Sequence, residues 1–165
     1  MKILAFAASN SSQSINKQLL QYALTLIEQG DAELLDINDY EMPLYSSDRE
    51  EQGGIPALAH QFREKIDWAD ALIIAFAEHN GSYTAAYKNL FDWTSRINPK
   101  VYQAKPMVLL ATSPGPGGAR NVLNAAQTSA PHFGGEVKAT LSVASFYQHF
   151  DSDNGEISNP RFASN

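Results

Sequence analysis

ALIIAFAEHNGSYTAAYKNLF, residues 71–91, changes character twice within one short span. Ala71 to Ala77 is an unbroken apolar run, the mark of a strand covered on both faces rather than one half exposed. Glu78, His79, Asn80, Gly81 and Ser82 follow at once, and Tyr83 to Ile97 then reads as a helix, with Pro99 as its breaker. A strand, a polar loop and a helix in that order form the repeating unit of a parallel α/β sheet. The run at 71–77 is the strongest candidate for the centre of that sheet.

The same unit recurs to either side. Ile3 to Ala8 is nearly continuous apolar sequence, followed by Ile15, Leu19, Leu20, Ala23, Leu24 and Ile27 at helical spacing, with Gly30 as a stop. Glu33 to Ile37 reads as a short strand of slight apolar content, as suits a sheet edge. Pro56 to Asp67 reads as a helix with Leu58, Phe62 and Ile66 on one side. Met107 to Thr112 is a fourth strand, SPGPGG (113–118) a turn, Gly118 to His132 a helix and Val137 to Val143 a fifth strand. The alternation predicts an α/β three-layer sandwich: five parallel strands in order 2-1-3-4-5, helices on both faces and right-handed crossovers. One domain over residues 1–165 is expected.

Two stretches resist this pattern. Residues 38–55 (NDYEMPLYSSDREEQGGI) have no periodicity and read as a surface excursion, either a lid or a passive loop. The tail SFYQHFDSDNGEISNPRFASN carries turn residues and no convincing helix. Either a partner subunit covers the face that a last helix would cover, or the tail packs irregularly.

Composition narrows the functional classes. The chain has 165 residues, 44% of them hydrophobic, enough for a single sizeable core. The formal net charge of −6 gives no support for nucleic acid or an anionic membrane as partner. With no cysteine there is no disulfide framework and no thiolate chemistry. The opening MKILAFAAS is too short an apolar run for a signal peptide or membrane span, so a cytoplasmic protein is expected.

Three polar loops follow the apolar strands, where an open parallel sheet binds ligands at its topological switch point. The first holds Ser9, Asn10, Ser11, Ser12, Ser14 and Asn16 just before a helix. Hydroxyls, an amide and helix N–H groups make a small anion site there without any cation, or else Ser12 or Ser14 simply caps the helix. No glycine lies in this loop, so it is neither a dinucleotide fingerprint nor a P-loop. In the second loop Asn80-Gly81 supplies a turn, while Glu78 and His79 point to a planar heterocycle, its ring edge matched by amide and backbone groups and His79 or Tyr83 packed beside it. In the third, Gly115, Gly117 and Gly118 either admit a ligand close to the backbone or only permit the turn. Four dispersed histidines have no metal-ligand spacing, and no GxSxG elbow occurs. Asp92, Trp93 and Arg96 on the helix after the second loop read as a polar face or as subunit contacts.

The three loops together resemble those of the NAD(P)H-dependent FMN reductases, a family with a flavodoxin-like fold. ASNSSQSIN (8–16) is similar to the family's GS-x-R-x-x-S-x-N, matching at Ser9, Ser14 and Asn16, with Ala8 for glycine and Ser11 for arginine. AEHNGSYTAAYKNLFDW resembles PEYN-x-S followed by LKN-x-x-DW, with Ala77 and His79 in place of proline and tyrosine. SPGPGG resembles S-x-G-x-x-GG. The resemblance covers residue 3 to about residue 143.

It implies non-covalent FMN, its phosphate over Ser9, Ser11, Ser14 and Asn16 and its ring against Glu78, His79, Asn80 and Gly81 with Ser113, Gly117 and Gly118. It also implies a homodimer or homotetramer, NADPH or NADH as hydride donor, and a small-molecule acceptor such as free flavin or a quinone. The hard chemistry in such an enzyme belongs to the cofactor, so no side chain is assigned a catalytic role and no metal is expected. Serine at position 11 cannot reproduce the bidentate phosphate contact of an arginine. A flavodoxin-like electron carrier, or an interaction module that has lost flavin, would keep the same fold.

Overall fold

The computed structural model describes residues 1–163; Ser164 and Asn165, the end of the tail considered above, lie outside the described residues. Five strands, β1 Lys2–Ala8, β2 Asp31–Leu35, β3 Ala71–Phe76, β4 Pro106–Thr112 and β5 Glu136–Val143, form one sheet in the order β2-β1-β3-β4-β5. All four pairings are parallel. The register sets Ala8 beside Phe76 and Phe76 beside Ala111, so the first three polar loops leave the sheet at one edge, side by side. The parallel sandwich expected from the alternating periodicities, and the flavodoxin-like fold that the resemblance implied, are both observed.

The two faces of the sheet differ in side-chain size. Leu4, Phe6, Leu72, Ile74, Phe76 and Leu109 point to one face. There they meet α3 (Ala57–Trp68) through Phe62 and Ile66, α4 (Ala85–Ile97) through Tyr87, Leu90 and Trp93, and α5 (Arg120–Ser129) through Val122 and Leu123. The alternate residues Ala5, Ala75 and Leu110 face α1 (Ile15–Thr25), which lays Leu19 and Leu20 on them. Period-two alternation in the strands thus gives one thick, aromatic-rich layer and one thin layer floored by alanines.

The irregular stretches have definite structures. After β5 come α6 (Phe146–His149), a hairpin of β6 (Phe150–Asp151) and β7 (Glu156–Ile157), and α7 (Pro160–Ala163). Phe146 is fully buried and stacks on Phe150 at 4.7 Å, and both join Ile157 in the cluster under α1. The tail therefore packs irregularly over the face that a longer helix would cover. No element in it exceeds four residues, too short to leave a period in the sequence.

The 38–55 excursion includes a 3-10 turn, Ile37–Tyr40, and α2 (Ser47–Gly53), which is capped by Ser46 and buries none of its residues. A helix with no buried residue has no apolar stripe to read. The excursion is strapped to α4. Asn89 Oδ1 accepts from Tyr45 N at 2.8 Å, Asn89 Nδ2 donates to the Met42 and Pro43 carbonyls, and Trp93 Nε1 donates to Pro43 O at 2.7 Å. Arg96 pairs with Glu50 and Asp92 with Lys88, so Asp92, Trp93 and Arg96 all have partners within the chain. β2 begins and ends two residues earlier than expected, because Ile37 is used by the 3-10 turn.

Candidate functional site

The first loop is a chain of hydroxyls, each holding one backbone N–H. Ser9 Oγ accepts from Ser11 N, Ser11 Oγ from Gln13 N, and Ser14 Oγ from Lys17 N, all at 3.2 Å. Ser14 is the N-cap of α1; Ser12 is exposed and is not the cap. A hydroxyl that accepts one N–H still carries its own hydrogen. Capping and anion binding are therefore compatible at Ser14: the bond to Lys17 N fixes the oxygen and leaves the O–H free to donate. The positive end of the α1 dipole lies behind these donors.

Asn16 is used differently. Its Nδ2 donates to Thr112 O at 3.2 Å and its Oδ1 accepts from Thr112 N at 3.0 Å, with the side chain buried. It clamps the start of α1 to the end of β4 and so holds the first and third loops together. Thr84 joins the second loop to the first in the same way: its Oγ1 donates to Ala8 O at 3.0 Å and accepts from Tyr87 N, capping α4.

In the second loop, Glu78 Oε1 accepts from Val122 N at 2.7 Å. α5 has no side-chain cap of its own, since its N-cap residue is Ala119 in a left-handed conformation. Glu78 thus supplies from a distance the anionic acceptor that a helix N-terminus favours. His79 and Ser82 exchange two backbone hydrogen bonds around Asn80 and Gly81, which both have positive φ (53° and 79°), a tight turn suited to that pair. His79, Asn80 and Gly81 are exposed at its tip.

In the third loop Ser113 Oγ donates to Gly115 O at 3.2 Å. Gly118 is buried, with φ 61°, and a Cβ there would lie 2.4 Å from Ser142 Oγ; this glycine is needed for the approach of the loop to β5. Gly117 is exposed with open space around it.

These loops enclose one cleft of about 280 Å³. Ser9, Ser11, Ser14, Asn16, Glu78, His79 and Ser113 line it; the lining does not include Asn80, Gly81, Gly117 or Gly118. The other lining residues, Gln13, Ile15, Ala77, Thr112, Pro114 and Tyr147, were not among the site residues expected from sequence. Lys17 borders an adjoining cavity with Ser9, Ser11, Ser14 and Asp36, and no lysine or arginine is among the residues of the cleft itself.

A family model described as NADPH-dependent FMN reductase matches residues 1–148. The chain belongs to that family. Among its relatives, an NADPH:quinone oxidoreductase of Arabidopsis thaliana is 31% identical over 160 residues, 93% of this chain and 80% of that protein. An NAD(P)H-dependent FMN reductase of Pseudomonas aeruginosa is 39% identical over 116 residues, 70% of this chain and 61% of that one. The fold is similar to that of FerB, a flavoenzyme NAD(P)H:(acceptor) oxidoreductase from Paracoccus denitrificans, with a TM-score of 0.75, 23% identity and coverage of 98% and 88% of the two chains.

The cleft fits the chemistry of FMN. A phosphate seated over the first loop would meet neutral O–H donors and a helix N-terminus. Glu78, the carboxylate in the lining, already holds an amide of α5, which draws its charge toward the helix and away from an anion. No described helix is long and apolar enough to cross a membrane.

Proposed function

We propose that the protein is an FMN-dependent oxidoreductase, one domain over residues 1–165, that oxidises NADPH or NADH and reduces a small-molecule acceptor such as free flavin or a quinone. The observation that carries this reading is the convergence of three strand-end loops on one cleft, lined by serine hydroxyls free to donate together with His79 and Glu78. When bound, FMN supplies the two-electron chemistry, taking a hydride from the nicotinamide and releasing electrons to the acceptor.

The chain's part is binding and orientation. Ser9, Ser11 and Ser14 hold the phosphate; Asn16 and Thr84 keep the three loops in register. Glu78 fixes the second loop against α5, and His79 would lie beside the flavin ring. We infer a cytoplasmic homodimer or homotetramer. The supporting feature is an apolar cleft of about 300 Å³ between α4 and α5, walled by Tyr83, Phe91, Ala125 and Phe133. Tyr87 and Trp93 are already buried within the chain, so the aromatic content of α4 alone does not require a partner.

Anaerobic titration of FMN-loaded protein with NADPH and with NADH, followed in the visible spectrum, is the test. Bleaching of the flavin band by either is expected. Bound flavin that neither nucleotide bleaches would mean an electron carrier. Protein that takes up no FMN would mean an interaction module.

A further inference from the structure

The C-terminal segment reaches the cleft and is fastened to it. Ser145 N donates to Gly115 O at 2.8 Å and Phe146 N to Ser113 O at 3.0 Å, so the start of α6 is bonded to the third loop. Ser145 takes a left-handed conformation, φ 50°, unusual for a residue with a Cβ. That turn drives Phe146 into the core, where it is fully buried against Phe150. The next residue does the opposite. Tyr147 is 68% exposed, stands edge-on to Phe146 at 5.3 Å, and lines the same cleft as Ser9, Ser14, His79 and Ser113.

A single exposed aromatic usually means nothing. Tyr147 differs because a buried anchor and two backbone bonds hold its ring at the cleft. It is the one large aromatic ring in the lining other than the His79 imidazole, beside small residues such as Ser9, Ser11, Ser14, Ala77 and Ser113. We propose that Tyr147 is a positioning residue for FMN: its ring forms the outer wall of the cleft and covers the bound cofactor by apolar contact, making the C-terminal segment part of the binding site. The proposal rests on the FMN reading given above. Contact area, not the phenol hydrogen, carries the effect, so riboflavin and FMN are held by it alike.

The test compares the full-length wild type with Tyr147→Ala and Tyr147→Phe, titrated with FMN and with riboflavin by flavin fluorescence. Flavin dissociation is followed by stopped flow, and iodide quenching reports solvent access to the bound ring. Because the side chain is largely exposed, melting of the apo variants is expected to match the wild type. Tyr147→Ala should weaken both flavins by about the same factor, roughly tenfold and mostly through faster dissociation, the size of effect typical of one aromatic contact. It should also raise iodide quenching, while Tyr147→Phe stays within about twofold of wild type.

Wild-type affinity and quenching in Tyr147→Ala would overturn the proposal and leave the FMN reading standing. Loss of FMN but not riboflavin in Tyr147→Phe would overturn it in favour of a hydroxyl–phosphate hydrogen bond. A wild type that binds neither flavin would overturn both readings.

Discussion

Asn16 and Thr112, 96 residues apart, exchange two hydrogen bonds: the amide of Asn16 satisfies both the N–H and the C=O at the end of β4. Asn16→Ala would orphan two buried backbone groups, a loss of about 2 to 6 kcal/mol at roughly 1–3 kcal/mol for each unsatisfied group. The melting temperature should fall, and affinity for FMN and riboflavin should fall together because the loops separate. An FMN-selective loss with unchanged melting would instead make Asn16 a direct phosphate ligand.

Ser14→Ala separates the two roles of one hydroxyl. Loss of the cap should cost about 1 kcal/mol of stability. Loss of the outward O–H donor should weaken FMN severalfold and leave riboflavin unchanged, as measured by paired fluorescence titrations. Equal losses would show that the first loop does not hold the phosphate.

Glu78 is expected to act through α5. Glu78→Gln keeps an acceptor for Val122 N but removes the charge, costing about 0.5–1 kcal/mol, while Glu78→Ala should cost about 2 kcal/mol. Hydrogen exchange at the Val122 amide should accelerate most in the alanine variant. Unchanged exchange there would dissociate Glu78 from the helix start.

Burial raises the pKa of the Tyr87 and Tyr102 hydroxyls; the hydrogen bond between them adds to the rise at Tyr87 and opposes it at Tyr102. The protonated phenol is the favoured form in the folded protein. The associated stability is complete below the ordinary phenol value of about 10 and is lost as pH rises above it toward the folded values. Of the seven tyrosines, these two should not ionise while the fold persists. Absorbance titration at alkaline pH should show their ionisation coinciding with the loss of far-ultraviolet circular dichroism.

The sheet order and the meeting of three loops were legible because the central strands are unbroken apolar runs and their polar residues cluster at the carboxyl ends. What each polar residue does was less so. Asn16 and Ser14 give the same signal, a short polar side chain at a helix start, yet one is spent on Thr112 and the other keeps a donor free. Glu78 finds its partner 44 residues on, a distance that no local pattern spans. Thr84 was within reach, since threonine before a helical run is an N-cap signal. Tyr147 was not, because it sits in a tail whose elements are two to four residues long. α2 was missed since a helix with no buried face has no period to detect.

The unequal faces of the sheet make tolerance to mutation lopsided. α1 rests on Ala5 and Ala75, both fully buried, and it follows directly on its N-cap Ser14 at the end of the serine loop proposed to hold the phosphate. A larger residue at either alanine must lift that helix, so enlargement there should disable the cofactor site before it unfolds the chain. Trimming Ile74 or Leu72 on the thick face leaves a void under α3 and α4 instead, lowering stability with the serines undisturbed. Sequence variation therefore has room on one side of the sheet and almost none on the other.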